Sequence, residues 1–136
     1  MTLPKPYLPG TIYLVTRRCA QRQFLLRPDE LTNQIFAYCL AMAMSHAKVE
    51  VFAFCVISNH YHLVVRDPEA RMPEFLNYLN MFVSKCINVS RDRCENVWST
   101  EPPSTVTLTS DEDVLDKLTY PLTNPVPAGT VTRGTP

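Results

Sequence analysis

The chain carries no net charge: thirteen Lys and Arg balance thirteen Asp and Glu over 136 residues. That balance argues against a large non-specific electrostatic grip on nucleic acid, which needs an excess of cations facing phosphates. There is also no Cys-x-x-Cys pair. Cys19, Cys39, Cys55, Cys86 and Cys94 are widely spaced, which excludes a zinc ribbon and a disulfide framework. No apolar run approaches the length that crosses a bilayer, and no charged-then-apolar leader opens the chain. The expectation is a protein of the reducing cytoplasm with no membrane partner. Glycine is scarce, three residues against twelve prolines, and no internal repeat is visible. Six of those prolines (Pro102, Pro103, Pro121, Pro125, Pro127 and Pro136) follow residue 100, so the last third should be the least regular part, with a tail from about residue 125.

What the chain does have is enough apolar sequence, 46% hydrophobic, to build a core in one domain spanning residues 1–136. Its neutrality hides a local asymmetry. Five basic residues (Lys5, Arg17, Arg18, Arg22, Arg27) and no acidic one precede Asp29, whereas Asp111, Glu112, Asp113 and Asp116 crowd a late segment. A local basic face near the start is compatible with that pattern.

Periodicity predicts the elements. Alternation over Thr11 to Arg17 predicts a strand, followed by a loop with Arg18, Gln21 and Arg22. Pro28-Asp29-Glu30 starts a helix in which Leu31, Ile35, Cys39 and Met42 recur to about Ala47. Glu50 to Ile57 reads as a central strand, and Ser58-Asn59 turns the chain into a second one, His60 to Arg66, as a hairpin. Pro73-Glu74 opens a helix with a stripe of Phe75, Leu79, Phe82 and Cys86, flanked by Leu76, Val83 and Ile87, ending near Val89. Val97-Trp98 and Thr105 to Leu108 read as short extended pieces. Ser110 before three acids resembles an N-cap that starts a third helix. The order strand, helix, strand, strand, helix, strand, helix predicts an α+β fold, a ferredoxin-like antiparallel sheet with helices packed on it.

Two places carry chemistry. In a strand, residues i and i+2 project from one face, so the imidazoles of His60 and His62 stand side by side and offer two nitrogen ligands to a divalent cation. Two such histidines can equally be half-buried and hydrogen-bonded. In the third helix, Val114, Leu115, Leu118 and Leu122 gather on one side at about 100° per residue, with Tyr120 nearly opposite and Asn124 one turn further. Asp113, Asp116 and Lys117 line the same polar face. Tyr120 is then an ordinary exposed residue or one presented to a substrate. Asn124 is either a helix C-terminal cap before Pro125 or the amide oxygen that completes an N/N/O metal site.

Two strand histidines, a helical tyrosine and an amide four residues later together resemble the single-tyrosine HUH nucleases and transposases. The runs Tyr13 to Cys19, Arg22 to Leu26, Phe54 to Val65 and Tyr120 to Gly129 resemble the REP-associated tyrosine transposase branch of that family, over roughly residues 7 to 131. The resemblance implies an HUH endonuclease/transposase fold and an enzyme that cleaves and transfers single-stranded DNA. In it, His60, His62 and Asn124 hold Mg²⁺ or Mn²⁺, and Tyr120 is the nucleophile that forms a 5′-phosphotyrosine intermediate. The implied partner is single-stranded DNA beside a hairpin, with Arg17, Arg18 and Arg22 as phosphate contacts and Tyr13 or Phe24 as stacking surfaces. Monomer and homodimer both stay open.

Three departures bear on activity. Pro121 follows the nucleophile directly and disfavours a helical conformation at Tyr120. The family's Asn-Pro-Val element usually runs on into further helical sequence, whereas here the chain stops at Pro136, which implies a C-terminal truncation. Glu101-Pro102-Pro103-Ser104 is a poor continuation of a sheet. A catalytically impaired relic or regulator that binds a DNA hairpin without cutting it is therefore the alternative, and a metal-binding domain unrelated to nucleic acid is a third reading.

Overall fold

The computed structural model describes residues 7–27 and 29–123 and, within the last helix, side chains as far as Leu118. The elements follow in the order β1 (Thr11–Arg18), α1 (Glu30–Ala47), β2 (Glu50–Ile57), β3 (His60–Asp67), α2 (Met72–Ser90), β4 (Ser104–Leu108) and α3 (Asp111–Thr123). The strands form an antiparallel sheet in the order β2-β3-β1-β4. The ferredoxin-like expectation is met in element order and in pairing.

Local chemistry explains most boundaries. Asp29 caps α1 by accepting from the Thr32 N–H at 2.7 Å, and Ser110 caps α3 by accepting from the Asp113 N–H at 3.0 Å. Arg71, the N-cap residue of α2, makes no capping bond. That helix start is satisfied instead by the fully buried Asp67 at the end of β3, whose two oxygens accept from the N–H groups of Arg71 and Met72, both at 2.9 Å. A short 3₁₀ turn at Ala20–Arg22, unforeseen in the sequence, follows β1. Gln21 and Arg22 both adopt positive φ there, 52° and 55°.

The pleat sorts side chains between two faces. Tyr13 and Val15 of β1, Val56 of β2, and Tyr61, Leu63 and Val65 of β3 join α1 and α2 in the main core. Phe36 of α1 sits 5.1 Å from Tyr61 and 6.0 Å from Phe54, ring centre to ring centre. That contact turns α1 about its axis relative to the expected stripe. Thr32, Phe36, Cys39, Leu40, Ala43 and Ala47 are buried, while Leu31 is 55% exposed. On α2 the stripe Phe75, Leu76, Leu79, Val83 and Ile87 is buried as expected.

On the opposite face, Ala53 and Cys55 of β2 and Val64 of β3 are buried apart from the main core. α3 makes its sheet contacts with β2 and β3, which puts it across that face. Val114, Lys117 and Leu118 are its half-buried residues, whereas Leu115, expected in the stripe, is 61% exposed. The helix extends through Tyr120 and Pro121 to Thr123, although Pro121 argues locally for a break. A proline within the last turn of a helix forfeits one backbone hydrogen bond without interrupting a longer ladder.

Candidate functional site

β3 pairs with β1 in the register Thr16↔His62 and Arg18↔His60, and with β2 in the register Cys55↔His62 and Ile57↔His60. His60 and His62 therefore stand on the face that α3 crosses, one residue out of phase with the core tyrosine Tyr61. Their Nε2 atoms are 3.1 Å apart. His60 Nδ1–H donates to the Asn59 side-chain oxygen at 2.7 Å, which leaves Nε2 as that ring's lone-pair nitrogen. His62 Nδ1 lies 2.9 Å from Thr16 Oγ1. Because His60 Nε2 can only accept, the contact between the rings is a hydrogen bond donated by His62 Nε2–H, and the Thr16 hydroxyl donates to His62 Nδ1. The hydroxyl can accept instead when His62 carries its proton on Nδ1 and frees Nε2 for a ligand. Burial is the main force lowering both histidines, with Arg18 adding repulsion. His62, which also feels His60, falls to about 4. Both rings are neutral at physiological pH, the state in which imidazole ligates metals.

The pair fits a divalent cation. Two ligands at about 2.1 Å on adjacent corners of an octahedron lie about 3.0 Å apart, close to the observed Nε2 separation. Asn59 and Thr16 act as outer partners that orient each ring through its other nitrogen. Among the described residues no group of three or more His, Cys, Asp and Glu side chains gathers to hold a metal, so the two histidines stand without a third such side chain there. Asn124, the third donor implied by the resemblance, lies outside the described residues. Tyr120 lies on the backbone of α3, on the histidine-bearing face of the sheet, and its side chain lies outside the described ones.

The three arginines separate. Arg18 is exposed and lines two hollows that flank the histidines. One, of about 190 Å³, is shared by Arg18, Arg22, Asn59 and His60. The other, of about 390 Å³, contains Thr16, His62, Ser99, Glu101 and Ser104. Arg17 points to the core face: its guanidinium lies 5.8 Å from the Trp98 ring centre and donates to the Ser99 carbonyl at 3.1 Å. Trp98, in turn, donates from Nε1 to the Asn80 carbonyl at 2.8 Å and packs edge-on against Tyr61. Strand parity carries this signal, since Arg17 alternates in phase with Tyr13 and Val15. Tyr13 is 1% exposed and offers no stacking surface, whereas Phe24 is 64% exposed.

Backbone bonds hold the loops around the histidines. The Cys19 N–H donates to the Asn59 carbonyl at 2.8 Å and the Leu26 N–H to the Ser58 carbonyl at 2.9 Å, tying the Arg22 loop to the β2–β3 turn. On the other side, the Ala20 N–H donates to the Val97 carbonyl at 2.7 Å and the Ser99 N–H to the Arg18 carbonyl at 3.0 Å. The Glu101 N–H then donates to Ser99 Oγ at 3.1 Å. The segment that read as a poor sheet continuation is the wall of the larger hollow. Nothing in the spacing of Ser99, Glu101 and Ser104 links them to a strand forty residues earlier, so the sequence alone does not mark them as site residues.

This antiparallel four-stranded sheet with its helices is a fold that solved transposase structures share. The chain is similar to the REP-associated tyrosine transposase bound to a REP hairpin, with a TM-score of 0.68 and 13% identity over 91% of this chain and 74% of that one. It is also similar to a candidate transposase from Deinococcus radiodurans R1, with a TM-score of 0.60 and 14% identity over 86% of this chain and 93% of that one. No family model and no curated protein matches the chain. At such identities the likeness is one of fold. Among the described residues no helix is long and apolar enough to cross a membrane.

Proposed function

We propose that the chain is a metal-dependent transposase that cleaves single-stranded DNA beside a hairpin and rejoins it through Tyr120. The observation that carries this reading is the pair of neutral imidazoles with Nε2 atoms 3.1 Å apart, on a sheet face crossed by the helix that bears Tyr120. It is supported by the fold shared with a hairpin-bound transposase.

In this reading His60 and His62, with Asn124, hold Mg²⁺ or Mn²⁺, which when bound polarises a non-bridging oxygen of the scissile phosphate. Asn59 and Thr16 keep the two rings aimed. Arg18 and Arg22, which share the smaller hollow, meet the phosphate next to the scissile one. The Tyr120 oxygen attacks phosphorus, the bond from phosphorus to O3′ breaks, and the phenolic proton passes to the departing 3′-oxygen. A phenol is almost fully protonated at neutral pH, so that proton must be drawn off as attack begins. The products are a 5′-phosphotyrosine and a free 3′-hydroxyl. Because one phosphoester replaces another, a second 3′-hydroxyl can reverse the step and join strands without a nucleotide cofactor.

The test is a hairpin oligonucleotide with a single-stranded flank, labelled at its 3′ end and incubated with the protein and Mn²⁺. A denaturation-resistant adduct that Tyr120→Phe abolishes is the expected result. A gel shift without an adduct would make the chain a hairpin-binding relic, and neither shift nor adduct would remove nucleic acid from its function.

A further inference from the structure

The two hollows beside the histidines differ in charge, and Arg18 stands between them. The smaller holds Arg18 and Arg22. The larger adds a carboxylate, Glu101, and the hydroxyls of Ser99 and Ser104 to Thr16 and His62. Its volume of about 390 Å³ lies within the roughly 300–1,000 Å³ usual for small-ligand sites. Among the described residues the Glu101 carboxylate has no hydrogen-bond or ion-pair partner, since the residue's only bond is made by its backbone N–H. Its segment is nevertheless fixed: the Ser99 carbonyl accepts from Arg17, and the Ser99 N–H donates to the end of β1.

A carboxylate repels a phosphate. A strand whose scissile phosphate lies at the histidines must therefore run its neighbouring phosphate on the Arg22 side, and only an uncharged part of it can enter the Glu101 side. We propose that the larger hollow seats the base of a nucleotide flanking that phosphate and that Glu101 selects guanine there. The proposal rests on the reading of the histidine pair as a phosphate site.

The selection follows from donors and acceptors. In a single strand the pairing edge of each base is free to be read. Guanine offers two adjacent N–H donors on that edge, N1–H and N2–H, which match the two oxygens of one carboxylate. Cytosine and adenine offer one amine beside a ring acceptor, and thymine flanks its single N–H with two carbonyls that repel a carboxylate. Ser99 and Ser104 hydroxyls donate and accept alike, so they tolerate every base and leave discrimination to Glu101.

Binding of four fluorescent hairpin oligonucleotides, each with a twelve-residue single-stranded flank, to the full chain with Mn²⁺ tests this: the flank is all thymidine, or carries a single central guanine, adenine or cytosine. Guanine is expected to tighten binding about tenfold over thymidine alone. Glu101→Gln is expected to remove that gain and favour the adenine and cytosine oligonucleotides, because an amide presents one donor and one acceptor, as their pairing edges do. Glu101 is exposed, so the exchange sacrifices no packing. Equal binding of all four by the wild type, or an unchanged guanine preference in the variant, overturns the role of Glu101 and leaves the phosphate site standing. Failure of all four to bind overturns both.

Discussion

Tyr61 and His62 are chain neighbours on one strand, yet they belong to different parts of the molecule. Tyr61 is fully buried, donates to the Asn80 side-chain oxygen at 2.6 Å, and has its phenol pushed well above the usual range by burial. His62, pointing the other way, meets Thr16, His60 and the larger hollow. The core face of the sheet is committed to packing, whereas the opposite face carries the polar groups of the site beside a smaller apolar patch of Ala53, Cys55 and Val64. One consequence is that stability and site chemistry should be separable by the parity of the residue changed.

The largest effect expected on the core face is from Phe36→Ala. It removes the ring that packs on Tyr61 and Phe54 and should cost about 3–5 kcal/mol in urea denaturation. A cost under 1 kcal/mol would mean that α1 does not pack as described. On the other face, Thr16→Val takes away the oxygen that orients His62. Titration calorimetry with Mn²⁺ should show affinity falling by about 10- to 100-fold while the denaturation midpoint stays close to wild type. A smaller pair of changes compares adjacent arginines. Arg17→Ala should lower stability by about 1–2 kcal/mol through lost packing on Trp98 and change oligonucleotide binding less than Arg18→Ala, which should weaken binding and leave stability unchanged. The opposite pattern would invert the assignment of the two faces.

The same comparison predicts a pH dependence. His62 titrates at about 4 in the folded chain and near 6.5 when unfolded. Below about pH 6.5 the unfolded chain therefore binds a proton that the folded chain refuses. The stability due to this group is complete above 6.5, declines as pH falls, and stops declining below about 4. Denaturation midpoints between pH 7 and pH 4 should show a slope that His62→Ala reduces. An unchanged slope would mean that His62 is not the buried, depressed group.

Elements with a local cause were legible in the chain. Asp29 and Ser110 announced helix starts because a cap bonds its own first turn, and the spacing of His60 and His62 implied a shared face because strand side chains alternate. Arg17 was legible in principle from its phase with Tyr13 and Val15, though charge alone grouped it with Arg18 and Arg22. The rotation of α1 was not, since Leu31 and Phe36 are both apolar and only contact with Tyr61 and Phe54 makes Phe36 the one that is buried.

By itself, then, the sequence determined the order of elements, the caps and the pairing of the two imidazoles, all of which depend on residues within a turn or a strand of one another. Tertiary structure alone decided that Thr16 lies opposite His62, that α3 crosses the histidine face, and that Glu101 lines a hollow with His62. Those relations depend on strand register and loop closure between segments tens of residues apart, where the physical cause is packing of the whole sheet rather than any local preference.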